Sequence, residues 1–120
     1  FTYVDDIVEA IVRMVPSPPA GNESWNGMNP DPATSFAPWR VYNIGNNSPV
    51  RLLDFIETIE RKLGKTAVKN FLPMQDGDVP ETFADVDALA HDFNFRPGTS
   101  LEAGIGRFID WYLEYYNIKS

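Results

Sequence analysis

A small α/β fold, about four helices with two or three short strands, is what this sequence predicts. Three observations carry the prediction. Apolar residues recur at helical spacing in three separate stretches, two short β-branched runs closed by turn residues lie between them, and the composition is ordinary for a globular chain. Of the 120 residues, 43% are hydrophobic and 22% charged, which argues against disorder over most of the length. One domain over 1–120 is expected, a size that buries roughly 65% of the unfolded surface.

Val4, Ile7, Val8, Ile11, Val12 and Val15 make an amphipathic stripe that Pro16 ends, and Thr2 with Asp5 forms a T-x-x-D capping pattern at its start. Residues 16–38 carry six prolines and two glycines without apolar period, so they predict a surface loop, with Trp25, Phe36 and Trp39 available to tack it onto the body. WRVYNI at 39–44 predicts a short strand closed by GNNSP. Leu52, Leu53, Phe55, Ile56, Ile59 and Leu63 predict a second helix, with Glu57 and Arg61 four apart and Gly64 placed for a left-handed cap. AVKNFLP at 67–73 predicts a second strand, and strand, helix and strand together suggest a parallel pair with a right-handed crossover. After the loop 74–85 comes a short helix over 86–92, capped by Asp85 and left through Asn94 and Pro97. Thr99 and Glu102 form a capping box for the last helix, whose face is Leu101, Ile105, Phe108, Ile109, Tyr112 and Tyr116. Gly104 and Gly106 weaken it by up to about 1 kcal/mol each unless a backbone packs close there.

The net charge of −7 speaks against nucleic acid and against an anionic membrane surface, since both select basic stripes. With no cysteine, disulfides and thiolate metal sites are excluded; the single histidine, His91, cannot build a metal site alone and reads as a surface or helix-end residue. No apolar run approaches the roughly 20 residues of a membrane span, and a cytoplasmic location is the expectation. The chain starts at Phe1 inside a helix pattern without an initiator methionine, which predicts a piece of a longer protein.

Searching for known constellations finds no Gly-rich phosphate loop after a strand, no G-x-S-x-G elbow and no H-E-x-x-H. Asp5 and Asp6 stand in a first helical turn, where carboxylates serve as caps. The loop 74–85 is richer, with Asp76, Asp78, Glu81 and Asp85. Their spacing does not fit a calcium loop. Gly77 before Asp78 fits a turn that presents a carboxylate to a hydroxyl-rich ligand; the alternative is an Asp that bonds its own backbone in that turn. The aromatic set Trp111, Tyr112, Tyr115 and Tyr116 reads as core and rim.

FTYVDDIVEAI, VYNIGNNSPV, GDVPETFADV and the final F-x-x-W-Y helix, in that order over nearly the whole chain, resemble the C-terminal portion of extended short-chain dehydrogenase/reductases acting on nucleotide sugars, most of all bacterial UDP-glucuronate 4-epimerases. The resemblance implies a two-part enzyme. Its N-terminal Rossmann domain binds NAD and carries a Tyr-x-x-x-Lys pair, neither of which is in this chain, so no catalytic or cofactor-binding residue is expected here. In that family a sugar 4-hydroxyl is oxidised by NAD and the keto sugar is reduced on its other face. The C-terminal portion grips the UDP-sugar. By the same resemblance Asp78 accepts hydrogen bonds from the nucleotide ribose, and Thr82 bounds the sugar pocket. Gln75 stands where galactose-type relatives place a diphosphate-binding Arg, a departure that supplies hydrogen bonds without charge. A homodimeric parent is implied, as is apolar surface that would let these residues self-associate alone. Related readings are a dTDP-glucose 4,6-dehydratase or a UDP-glucose 4-epimerase; a stand-alone helical interaction module is the competing class.

Overall fold

The computed structural model describes residues 1–79 and 82–118. Four helices form: α1 (Val4–Met14), α2 (Leu52–Leu63), α3 (Asp87–Phe93) and α4 (Leu101–Tyr115). The chain divides into two compact units, one of Phe1, residues 48–83 and residues 99 onward, the other of residues 2–47 and 84–98.

In the second of these units α1 packs on α3, and Ala10, Val86 and Leu89 are its buried apolar centre. The expected cap on Thr2 is not formed. Tyr3 holds the N-cap position with extended backbone and no side-chain bond, while the Thr2 hydroxyl accepts the Asn46 N–H at 3.0 Å. The threonine thus joins distant segments and leaves the helix start to backbone geometry. Arg13, four residues after Glu9 and bonded to it, also reaches the last carbonyl of α3, Phe93 O, and that of its cap, Asn94 O, both at 3.4 Å, and lies over the Phe95 ring. A cation there satisfies carbonyls that the helix leaves without partners. Asp85 does accept a first-turn N–H of α3, that of Asp87, although Val86 occupies the cap itself; Asn94 closes the helix in the left-handed region at φ 48°.

The α/β expectation is corrected. Among the described residues no strand forms, only an isolated antiparallel bridge between Thr34 and Arg40. Residues 41–46 hold no regular structure; after the Val41 N–H bonds Ala33 O, Asn43 Nδ2 donates to Asp85 O and the Tyr42 hydroxyl to Asp92. A strand needs a second backbone alongside, and here that edge is met by asparagine and tyrosine. Gly45 is buried, and a Cβ on it would come within 2.8 Å of the Ala84 Cβ, so only glycine fits.

In the other unit α2 packs on α4 with Ile105 and Ile109 buried beside Gly104. Gly104 is buried, whereas Gly106 has open space around it. Ser100, not Thr99, caps α4, accepting the Ala103 N–H at 3.3 Å. Thr58 is buried on α2; its hydroxyl donates to Asp54 O and accepts from Arg61, which therefore does not take up the expected bond to Glu57. Gly64 caps α2 at φ 65° as its position predicts. The outer aromatics of α4 pack on each other and stay exposed: Phe108, Trp111, Tyr112, Tyr115 and Tyr116. They form a rim and contribute none of the buried core.

Residues 67–73, expected as a strand, are irregular. Glu60 fixes only their start, accepting the Ala67 N–H and the Lys69 ammonium, and Val68, Phe71 and Leu72 are exposed. Among the described residues there is no parallel pair and no crossover, because the 39–44 run meets residues 33–34 only in one antiparallel bridge and the 67–73 run has no bridge.

Candidate functional site

The loop after Leu72 places the predicted site residues. Gln75, Asp76, Gly77 and Asp78 make one turn, closed by the Asp78 N–H donating to Gln75 O at 3.1 Å. Gly77 sits third in it at φ 95°, the position where a type II turn demands positive φ and where glycine adopts it without strain. Gln75 and Asp78 therefore flank the same tight turn, both exposed. The backbone closes the turn by itself, and among the described residues neither side chain makes a hydrogen bond. The alternative in which Asp78 binds its own backbone is not what the turn contains. Its carboxylate, an acceptor with four lone-pair directions, is presented to solvent on a geometrically fixed support.

Thr82 is exposed and lies outside that turn, and Glu81, with Pro80, falls outside the described residues. Asp85 is engaged as described above, at the start of α3. Asp6 accepts the Gly98 N–H at 3.1 Å, so its role is to tie α1 to the segment after α3. His91 is exposed in the last turn of α3, against Asp92.

Sequence reading missed one polar cluster. Asp92 accepts from the Tyr42 hydroxyl at 2.6 Å, from Arg40 at 2.8 Å, and pairs with His91 at 2.7 Å; Arg40 also lies over the Tyr42 ring. Burial and the bond to Asp92 push the Tyr42 phenol up to about 12, and the Tyr42 hydrogen bond, with His91 beside it, holds Asp92 below the usual carboxylate range. A tyrosine held neutral this firmly is a donor and no base near pH 7. Arg40 and Tyr42 also border a shallow depression of about 290 Å³ with Asn22 and Thr34. Fifty residues separate Tyr42 from Asp92, so no local spacing announces the pair; the alternation of Arg40 and Tyr42 in the predicted strand is its only trace.

Among the described residues no group of three or more His, Cys, Asp or Glu could hold a metal, and no helix is long and apolar enough to cross a membrane. The described residues do not fit a dinucleotide either, since among them no Gly-rich strand-to-helix turn is formed to receive its pyrophosphate. No step of hydride chemistry follows from this chain.

The described residues thus form four helices and present an exposed carboxylate on a glycine turn. The chain belongs with the nucleotide-sugar epimerase family, matching one portion of its members. It is 60% identical over 116 residues to protein CapI of Staphylococcus aureus, covering 97% of this chain and 35% of that protein. It is 46% identical over 120 residues to a probable UDP-glucuronate 4-epimerase of Rhizobium meliloti (strain 1021), covering 97% and 34%. With UDP-glucuronate 4-epimerase 1 of Arabidopsis thaliana it shares 38% over 121 residues, covering 100% and 27%. The chain thus spans about a third of the length of these relatives or less. No family model matches it.

Proposed function

We propose that this chain is the substrate-gripping portion of an NAD-dependent UDP-glucuronate 4-epimerase, which inverts the sugar at C4 by transient oxidation and reduction. The observation that carries the reading is the match of nearly all its residues to bacterial and plant proteins named for that activity. The geometry supports it: Asp78, presented bare by the Gly77 turn, would accept the ribose hydroxyls, and Gln75 on the same turn would donate to the diphosphate. Thr82 would border the sugar. Asp78 brings negative charge toward an anionic substrate, so neutralisation of the diphosphate falls to residues beyond these 120.

By itself the chain, at −7, repels a substrate carrying about three negative charges near pH 7. Calorimetric titration of the 120 residues with UDP-glucuronate is expected to show binding weaker than about 100 μM and no turnover. In a family-length polypeptide that carries them, NMR should follow UDP-glucuronate converting to its C4 epimer. There Asp78→Ala should raise KM about tenfold and change kcat less, the loss of a charge-assisted hydrogen bond. No epimer formed by the unsubstituted polypeptide, or an unchanged KM in the variant, would sink the assignment or the role of Asp78 respectively.

A further inference from the structure

Asn26 stands directly before Gly27, and it is the one asparagine of the chain that a glycine follows. Both residues are exposed in the loop after α1. The Asn26 main-chain carbonyl accepts the Asn29 N–H at 3.1 Å and closes a turn, while its side-chain oxygen Oδ1 accepts the Met28 N–H at 2.9 Å. Two further groups stay unengaged. Among the described residues neither the Gly27 N–H nor Asn26 Nδ2 makes a hydrogen bond.

These are the parts of an intramolecular acyl transfer. The Met28 N–H polarises the side-chain amide carbonyl of Asn26 and stands ready to stabilise the oxyanion that forms when its carbon is attacked. The Gly27 nitrogen is the nucleophile, with no side chain beside it to block the approach. Asn26 Nδ2 is the leaving group, open to water. We propose that Asn26 is a site of spontaneous deamidation within the folded loop, in which the Gly27 nitrogen gives its proton to hydroxide, bonds to Asn26 Cγ and expels Nδ2 as ammonia. One water then opens the cyclic imide. Opening at Cγ leaves aspartate at position 26, and opening at the main-chain carbonyl carbon leaves isoaspartate, whose backbone runs through the former side chain. No oxidant or cofactor is consumed. Either product adds a negative charge, and isoaspartate lengthens the backbone by a carbon, which breaks the 26–29 turn beside Trp25 and its bond to Asp31 O.

The neighbouring asparagines lack one part or another. The Asn22 side chain is held by Ser24 and Thr34 and precedes Glu23, and Asn29 precedes Pro30, which has no N–H to lose. Asp76 also precedes a glycine, but a carboxylate is a poorer electrophile than an amide.

A folded, family-length polypeptide carrying the chain, kept at mildly alkaline pH, tests this by peptide mass spectrometry with fragmentation that separates aspartate from isoaspartate. Asn26 should convert to both at least about tenfold faster than Asn22, which reacts only when its part of the loop opens. The rate should rise about tenfold per pH unit, as the deprotonated fraction of the amide does. Gly27→Ala should slow conversion about tenfold or more by shielding the nitrogen. Its Cβ would meet the Trp25 ring at 3.7 Å, an ordinary contact, so the turn is kept. If Asn26 stays intact while the same polypeptide unfolded in urea converts, the loop shields it and the proposal fails. Equal rates at Asn22 and Asn26, or an unchanged rate in Gly27→Ala, would overturn it too.

Discussion

Residues 20–41 and residues 70–79 are both turn-rich surface segments, and they use their polar side chains in opposite ways. In the first, Asn22 accepts from the Ser24 N–H and hydroxyl and donates to Thr34, Asn26 accepts from Met28, and Asp31 accepts from the Ala33 N–H and the Thr34 hydroxyl. Trp25 donates its indole N–H to Asp31 O and sets its ring against Phe36. Of the three aromatics that sequence reading offered for tacking this loop down, Trp25 and Phe36 pack on each other within it. In the second segment one backbone bond closes one turn, and the side chains of Gln75 and Asp78 make none among the described residues. An acceptor engaged by its own backbone has little left for a ligand, so the same residue types build a scaffold in one loop and stay unengaged in the other.

Gly21→Ala should give the largest effect. A Cβ there would collide with the Phe36 carbonyl oxygen, a backbone atom that cannot swing away. Overpacking of this kind costs about 1–3 kcal/mol, read by urea unfolding. A neutral result would mean that the loop yields as readily as the 70–79 segment, and the contrast between them would fail. Asn22→Ala comes next. It removes both accepted bonds and the one donated to Thr34, and about 1 kcal/mol is expected because the loop is largely exposed. Faster amide exchange at Ser24, with Thr34 exchange little changed, would localise the effect.

The acid titration of the first loop is a finer test. The hydrogen bonds from Ala33 and then Thr34 hold Asp31 below its ordinary value of 3.8. A depressed carboxylate contributes stability that is present above 3.8 and is lost as pH falls through its lower folded value. The Ala33 N–H resonance should therefore titrate with a midpoint below 3.8. A midpoint at or above it would show that the Asp31 turn is not populated as described.

Legibility in the sequence follows the range of the interaction. The helices were readable because a stripe of period 3.6 is a local signal, and so were the Gly64 cap and the Gly77 turn, each set by one residue's φ. Caps slipped by one position where two hydroxyl residues adjoin, as at Thr99 and Ser100, or where the threonine found a partner 44 residues away, as Thr2 did. The two strands were misread for a different reason. Val68, Phe71 and Leu72 have the composition of a strand, but pairing is a property of two segments, and the described residues hold no partner for theirs. The exposed turn position of Asp78 was legible from Gly77, and its proposed role comes from family resemblance, whereas the Arg40, Tyr42 and Asp92 cluster joins residues about 50 apart and leaves no local mark.

The smallest expected effect tests the other side of the contrast. Asp78→Ala deletes a carboxylate that supports no hydrogen bond among the described residues, while the turn that carries it keeps its backbone bond and its glycine. Unfolding free energy should shift by no more than about 0.5 kcal/mol, as for surface substitutions away from structural features. Neutrality for folding together with a raised KM in the family-length polypeptide would separate binding from architecture at a single atom group. Destabilisation by 1 kcal/mol or more, about the cost of a lost structural bond, would instead place Asp78 with Asn22 and Asp31, as a side chain that holds its own loop.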